Sequence, residues 1–116
     1  SIDYYRKAIL KIVDVIGNNI DIYIFSDDLD WCKQNLNFLK NKHFIEHDLA
    51  GKKFYNYLYL MSKFKNFIIP NSSFAWWAAW LSQQENKTIV VPENWSGLVN
   101  QKFIDIIPSD WIKIKF

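Results

Sequence analysis

Three short apolar runs, "IDIYIF" at 20–25, "NFIIP" at 66–70 and "KTIVVP" at 87–92, are separated from one another by sequence with helical spacing. No other feature narrows the fold as much. Strands alternating with helices at this spacing read as βαβ units, whose crossovers are right-handed and whose strands pair in parallel. Ahead of the first run, Tyr5, Ala8, Ile9, Ile12, Val13 and Ile16 recur at helical intervals, and Gly17 with Asn18 supplies the stop. "SDDLDWCKQNLNFLK" predicts a second helix, with Ser26 or Asp27 as N-cap and Leu29, Cys32, Leu36 and Leu39 on its apolar face. "HFIEH" predicts a short strand, followed by a turn around Gly51 and a helix over 55–64. A strand over 66–69, a helix over 72–83 and a strand over 87–92 come next. A short helix at 98–104, a turn at "PSD" and a last strand "WIKIK" complete the series. The expected fold is α/β: a Rossmann-like parallel sheet flanked by helices, in one domain over 1–116.

Composition removes several alternatives. With 116 residues, half of them hydrophobic and 18% aromatic, the chain can bury a single core and is not disordered. No apolar run reaches the roughly 18–20 residues of a membrane span, and no signal-peptide pattern opens the chain. The expected location is therefore cytoplasmic, or at the inner face of the membrane. Net charge is only +2 with dispersed lysines, which gives no basic patch for nucleic acid. Cys32 is the only cysteine, so no internal disulfide is available, as suits a reducing compartment. Arg6 is the only arginine, and a phosphate grip by guanidinium forks would need others from elsewhere. The chain opens on Ser1 rather than Met, directly into helix-like sequence, so a trimmed chain or a piece of a longer one is expected.

Open parallel sheets bind ligands beyond the carboxyl ends of their strands. Two segments fall there: "FSDD" after the first run and "IPNSSF" after the second. A helix that starts behind Pro70 presents unpaired backbone N–H groups, and Ser72 and Ser73 add hydroxyl donors beside them. On this reading Phe74, Trp77, Ala78 and Leu81 anchor the helix, while Trp76 and Trp80 fill its other side. The plain alternative is an ordinary serine cap, since neither Gly-x-Gly-x-x-Gly nor a Walker lysine is present. Asp27 and Asp28 can accept hydrogen bonds from a ribose or a base edge, or can simply favour a helix N-terminus. Asp28-Leu29-Asp30 also spells the Asp-x-Asp pattern with which some glycosyltransferases hold a metal and a sugar nucleotide. His43 and His47 would share a strand face, without an evident third ligand. Asn71, Asn86 and Asn94 each head an Asn-x-Ser/Thr triplet, read as chance without a secretory signal.

Taken together, "IYIFSDDLDWCKQNL", "LYLMSKFKNFIIPNSSFAWWAAWLS", "VVPENW" and "IIPSDWIKI" resemble the C-terminal half of glycosyltransferase family 11, the α-1,2-fucosyltransferases. The resemblance spans residues 22 to 114, and Asn-Ser-Ser-Phe-x-Trp-Trp at 71–77 is its strongest element. It implies one half of a two-Rossmann-domain, B-type enzyme, with the N-terminal half absent. It implies GDP-fucose as donor substrate, with inverting transfer to the 2-hydroxyl of a β-galactose on a glycan acceptor, in bacterial glycan biosynthesis. It also implies Asp27 and Asp28 near the guanosine, and Asn71, Ser72, Ser73 and Phe74 near the diphosphate. Two departures stand out. The basic His-x-Arg-Arg/Gly-Asp-Tyr-type motif belongs to the absent half. Relatives usually carry an acidic residue where this chain has Tyr57, and neighbouring Asn56 is the candidate replacement. No metal, cofactor or catalytic residue is expected within the chain. Two other readings compete: a metal-dependent sugar-nucleotide transferase using Asp28 and Asp30, and a non-catalytic carbohydrate- or protein-binding module using exposed tryptophans.

Overall fold

The structure, a computed structural model, describes residues 1–46, 54–94 and 106–116. In chain order the elements are α1 (Ile2–Ile16), β1 (Ile22–Ile24), α2 (Leu29–Asn35), β2 (Lys42–Phe44), α3 (Phe54–Ser62), β3 (Phe67–Ile68), α4 (Ser73–Leu81), β4 (Ile89–Pro92) and β5 (Ile112–Ile114). All pairings are parallel, as the βαβ pattern requires. The architecture is α/β with parallel sheets flanked by helices, the Rossmann-like class that the sequence predicts. The strands nevertheless form two sheets, β1–β2 and β3–β4–β5, where one continuous sheet was expected.

Side-chain alternation explains the layering. Along β3 and β4, Phe67, Ile69, Ile89 and Val91 face one way and pack with Ala75, Ala78 and Ala79 of α4 and with Leu58 and Met61 of α3. Val90 and Ile68 face the other way, onto Tyr4, Ala8 and Ile12 of α1, with Ile112 and Ile114 of β5 beside them. Strands buried on both faces read as continuous apolar runs, which is why "FII" and "IVV" carry no polar residue. Ile24 and Ile22 of β1 share a third cluster with Cys32, Leu36 and Leu39, against Tyr5 and Ile9 of α1. Helices α1 and α2 therefore cover one face, and α3 and α4 the other.

Several boundaries differ from expectation. Asp28, not Ser26 or Asp27, caps α2, its carboxylate accepting from the Trp31 N–H at 3.1 Å. Ser26 instead uses its hydroxyl to accept from the Asp28 N–H at 3.0 Å. Helix α2 ends at Asn35, yet Leu36 and Leu39 still reach the core through a turn that leads to Asn41 at φ 53°. The larger correction concerns α4. Trp77, Trp80 and Leu81 are each about half exposed, at 50%, 52% and 50%, so Trp77 and Leu81 do not anchor the helix. The buried stripe is Ala75, Ala78 and Ala79, continued by Ser82, whose hydroxyl donates to the Phe64 carbonyl at 2.7 Å. Small side chains let α4 approach β3, β4 and α3 closely. An indole at those positions would hold the layers apart. Trp76 is the aromatic residue that does pack on the core, donating its Nε1–H to the Ile106 carbonyl at 2.9 Å. Lys87 closes the other end of α4, its ammonium 2.9 Å from the Ala79 carbonyl and 3.0 Å from that of Ser82. A cation there suits the negative end of the helix dipole. The turn around Gly51 and the helix at 98–104 lie outside the described residues.

Candidate functional site

The carboxyl ends of β1 and β3 open onto a common cavity of about 870 Å³. Its wall at that end holds Ser26 and Asp27 from the loop after β1, and Pro70, Ser72 and Phe74 from the start of α4. Two segments 44 residues apart in the chain, at Ser26 and Pro70, are thus brought to one opening. Of the predicted site residues, Asp27, Ser72 and Phe74 line this cavity, whereas Asp28, Asn56, Asn71 and Ser73 do not.

Each remaining residue has a definite place. Ser72 is the N-cap of α4: its hydroxyl accepts from the Ala75 N–H at 3.3 Å while its own N–H donates to the Pro70 carbonyl at 2.8 Å. The cap leaves the remaining first-turn N–H groups of α4 directed outward, the usual seat for an anion. Ser73 begins the helix and is exposed. Asn71 is exposed too, and its amide donates to the Asn94 carbonyl at 3.1 Å, tying the loop before α4 to the loop after β4. Asp28 is exposed and engaged as the α2 cap. Asn56 sits half-buried on α3.

Tyr57 organises the site, a role the sequence reading did not give it. Its buried hydroxyl accepts from the Ser26 N–H at 3.0 Å and donates to the Ile45 carbonyl at 3.1 Å, joining the ends of β1 and β2. Its ring packs against Phe25, with centroids 5.0 Å apart, and against Phe74 at 6.0 Å. Burial raises the Tyr57 pKa above the ordinary tyrosine value, partly offset by the hydrogen bond from Ser26, so the hydroxyl stays protonated and able to donate. An acidic side chain here could not donate to Ile45 when ionised. Nothing local in "YNYLYLM" marks this tyrosine, because both of its hydroxyl partners are distant in sequence.

The other candidates gather no chemistry. His43 lies 3.1 Å from the Asp21 carboxylate and stacks on Tyr23, while His47 lies outside the described residues. Among the described residues, no group of three His, Cys, Asp or Glu side chains could hold a metal ion. Cys32 is a buried free thiol in the cluster beneath β1. Arg6, on α1, holds its guanidinium 4.1 Å from the centre of the Phe38 ring. Among the described residues no helix is long and apolar enough to cross a membrane.

An α/β layering with polar groups gathered at the carboxyl ends of parallel strands defines a ligand-binding domain of the doubly wound class. Comparison with known proteins makes this specific: the description "Glycosyl transferase family 11" matches residues 1–115, and the chain belongs to that family. It is 36% identical over 112 residues to the O-antigen biosynthesis glycosyltransferase WbnK of Escherichia coli, covering 97% of this chain and 36% of that protein. It is 34% identical over 102 residues to an alpha-1,2-colitosyltransferase of Escherichia coli, covering 84% of this chain and 34% of that protein. The chain therefore spans about a third of the length of these relatives. No solved structure matches it.

Proposed function

We propose that this chain is the donor-binding domain of an inverting α-1,2-glycosyltransferase, with GDP-fucose as donor and the 2-hydroxyl of a terminal β-galactose on a glycan as acceptor. The observation that carries this reading is the shared opening at the carboxyl ends of β1 and β3, lined by Asp27, Ser72 and Phe74. The diphosphate would lie at the start of α4, against backbone N–H groups and the Ser73 hydroxyl. The nucleoside would lie toward Asp27 and the aromatic pair of Phe74 and Tyr57. No metal enters this scheme. One relative is named for α-1,2 transfer of a colitosyl group, which supports the linkage and keeps a second sugar in view. A nucleotide-sugar donor places the reaction in the cytoplasm, at or near the inner face of the membrane.

Transfer itself needs more than this domain. Negative charge accumulates on the departing diphosphate, and the acceptor hydroxyl must be held in line and lose its proton. Arg6 is the only arginine, and it is occupied against Phe38. The remaining two thirds of the relatives' length is the proposed source of the cationic groups and the base.

An isotope-labelled chain titrated with GDP, UDP and free sugars tests the donor. Expected are metal-independent shifts with GDP, clustered at Asp27, Ser73 and Phe74. Ser73→Ala should weaken binding by about 0.5–1.5 kcal/mol, the net worth of one hydrogen bond. Ser72→Ala is less clean, because it also removes the α4 cap. UDP binding that requires manganese would favour the Asp28/Asp30 alternative, and sugar-induced shifts at Trp77 and Trp80 without nucleotide would favour a binding module. Residues 1–116 alone should give no GDP-fucose turnover above background with lactose, and robust turnover would refute the division of labour.

A further inference from the structure

Helix α1 has no strand leading into it, yet its position specifies where such a strand belongs. The Tyr4 hydroxyl lies 2.6 Å from the Ile69 carbonyl and 3.1 Å from that of Val90, and Lys7 reaches the Lys115 carbonyl at 3.3 Å. The first turns of α1 thus sit over the carboxyl ends of β3, β4 and β5, and the helix runs back to feed β1 from its amino end. In β1–α2–β2 the crossover helix lies on the face that α1 and α2 share, whereas α4, between β3 and β4, lies on the opposite face. Crossovers within one sheet are right-handed, so a helix on the α2 face carries the chain in the direction from β1 toward β2. A strand preceding α1 must then lie beside β1 on the side away from β2.

That is where the two sheets part. Strands β1 and β3 each have one partner, β2 and β4. Ile22 and Ile24 are hydrogen-bonded toward β2, and Phe67 and Ile69 toward β4. By the alternation of a parallel ladder, the N–H groups of Tyr23 and Ile68 point into the gap. The gap is the apolar part of the cavity already described, walled by Tyr5, Ile9 and Ile16 of α1 on one side and by Met61 and Phe64 on the other. Both helical layers contribute, so the opening passes through the sheet itself.

We infer that this slot is the seat of an extended apolar strand, about five residues long, parallel to both β1 and β3 and supplied by polypeptide that runs into α1. The relatives, about three times as long, possess such polypeptide. Filling the slot joins the two sheets in the order β2–β1–slot–β3–β4–β5, the 3-2-1-4-5-6 order of dinucleotide-binding folds. It also places the topological switch point at the carboxyl ends of the slot strand and β3, beside Ser72. This inference does not rest on the identity of the donor.

The test grafts Val-Ile-Val-Val-Val and a short Gly-Asn turn ahead of Ser1, and follows amide hydrogen exchange without nucleotide. In residues 1–116 alone, the Tyr23 and Ile68 amides should exchange at least about tenfold faster than those of Ile22 and Ile69, which are paired into β2 and β4. In the extended chain both should slow to match their neighbours, with nuclear Overhauser contacts from the graft to Ile9 and Phe64. A graft with Asp at its middle position should give neither effect. Two results would overturn the proposal. One is protection of Tyr23 and Ile68 in the unextended chain with direct β1–β3 contacts. The other is an unchanged spectrum on extension. A negative GDP titration would leave this result standing, and the reverse also holds.

Discussion

The β3–β4–β5 side of the molecule and the β1–β2 side are built from similar residues but buried to different depths. Ile69, Ile89, Val90 and Val91, the largest fully buried side chains, all lie in or beside β3 and β4, between α1 on one face and α3 and α4 on the other. On the other side, Ile24 is packed only from the face of α1 and α2. The opposite face of β1 carries Tyr23, 44% exposed and stacked between His43 and Phe64. The difference separates two tasks. The three-stranded side supplies stability, and the two-stranded side, less completely covered, borders the opening where Ser26 and Asp27 meet Ser72.

The largest effect that tests this contrast is in the core. Ile69→Ala should cost about 2–5 kcal/mol, from lost apolar contact plus the cavity left in a rigid layer. Ile24→Ala should stay near about 2 kcal/mol, because the neighbouring slot lets side chains collapse into the space. Equal losses in denaturant unfolding would break the distinction.

An intermediate effect follows from the buried tyrosines. Burial raises the folded-state pKa of Tyr4, on the three-stranded side, and of Tyr57, on the other, above the ordinary value of 10.0. Their contribution is fully present below pH 10. It declines above that value as the unfolded chain loses these protons first, and is gone once pH passes the folded-state pKa. Stability should therefore fall steeply above about pH 10. Tyr4→Phe and Tyr57→Phe should each flatten that fall, at a cost near neutrality of about 0.5–1.5 kcal/mol per lost hydrogen bond. Burial of Tyr4 should make its variant the flatter of the two. The reverse order would sharpen the case for Tyr57 as the tighter junction.

The smallest expected effect is at Trp77. Half exposed and outside the alanine stripe of α4, Trp77→Ala should cost well under the about 3–5 kcal/mol of a buried tryptophan. Chemical denaturation measures it directly. A loss in the core range would place its indole beneath another segment.

Much of the architecture was legible because apolar periodicity reports burial. The runs at 20–25, 66–70 and 87–92 each contain a strand, and the segment at 72–83 contains α4 with Ser72 as its cap. Its orientation was not legible. A helix of alternating alanine and tryptophan has apolar residues all round, so hydrophobicity alone does not select a face. The sheet chose alanine because close approach buries more backbone and neighbouring surface than an indole spacer allows. Among the site residues, Asp27, Ser72 and Phe74 could be placed by their position after strands. The engagement of Asp28 as a cap could not be read beforehand, since Ser26, Asp27 and Asp28 are all competent caps.

By itself the sequence determined the α/β class, the parallel pairing, the two loops that carry the candidate site and the family to which the chain belongs. Local spacing, cap chemistry and the Asn-Ser-Ser-Phe-x-Trp-Trp motif are all encoded within a few residues. Only the tertiary structure decided which face of α4 is buried, that Tyr57 joins β1 to β2, and that β1 and β3 stand apart with a slot between them. Those outcomes depend on groups far apart in the chain meeting at fixed distances, and no short-range pattern carries that information.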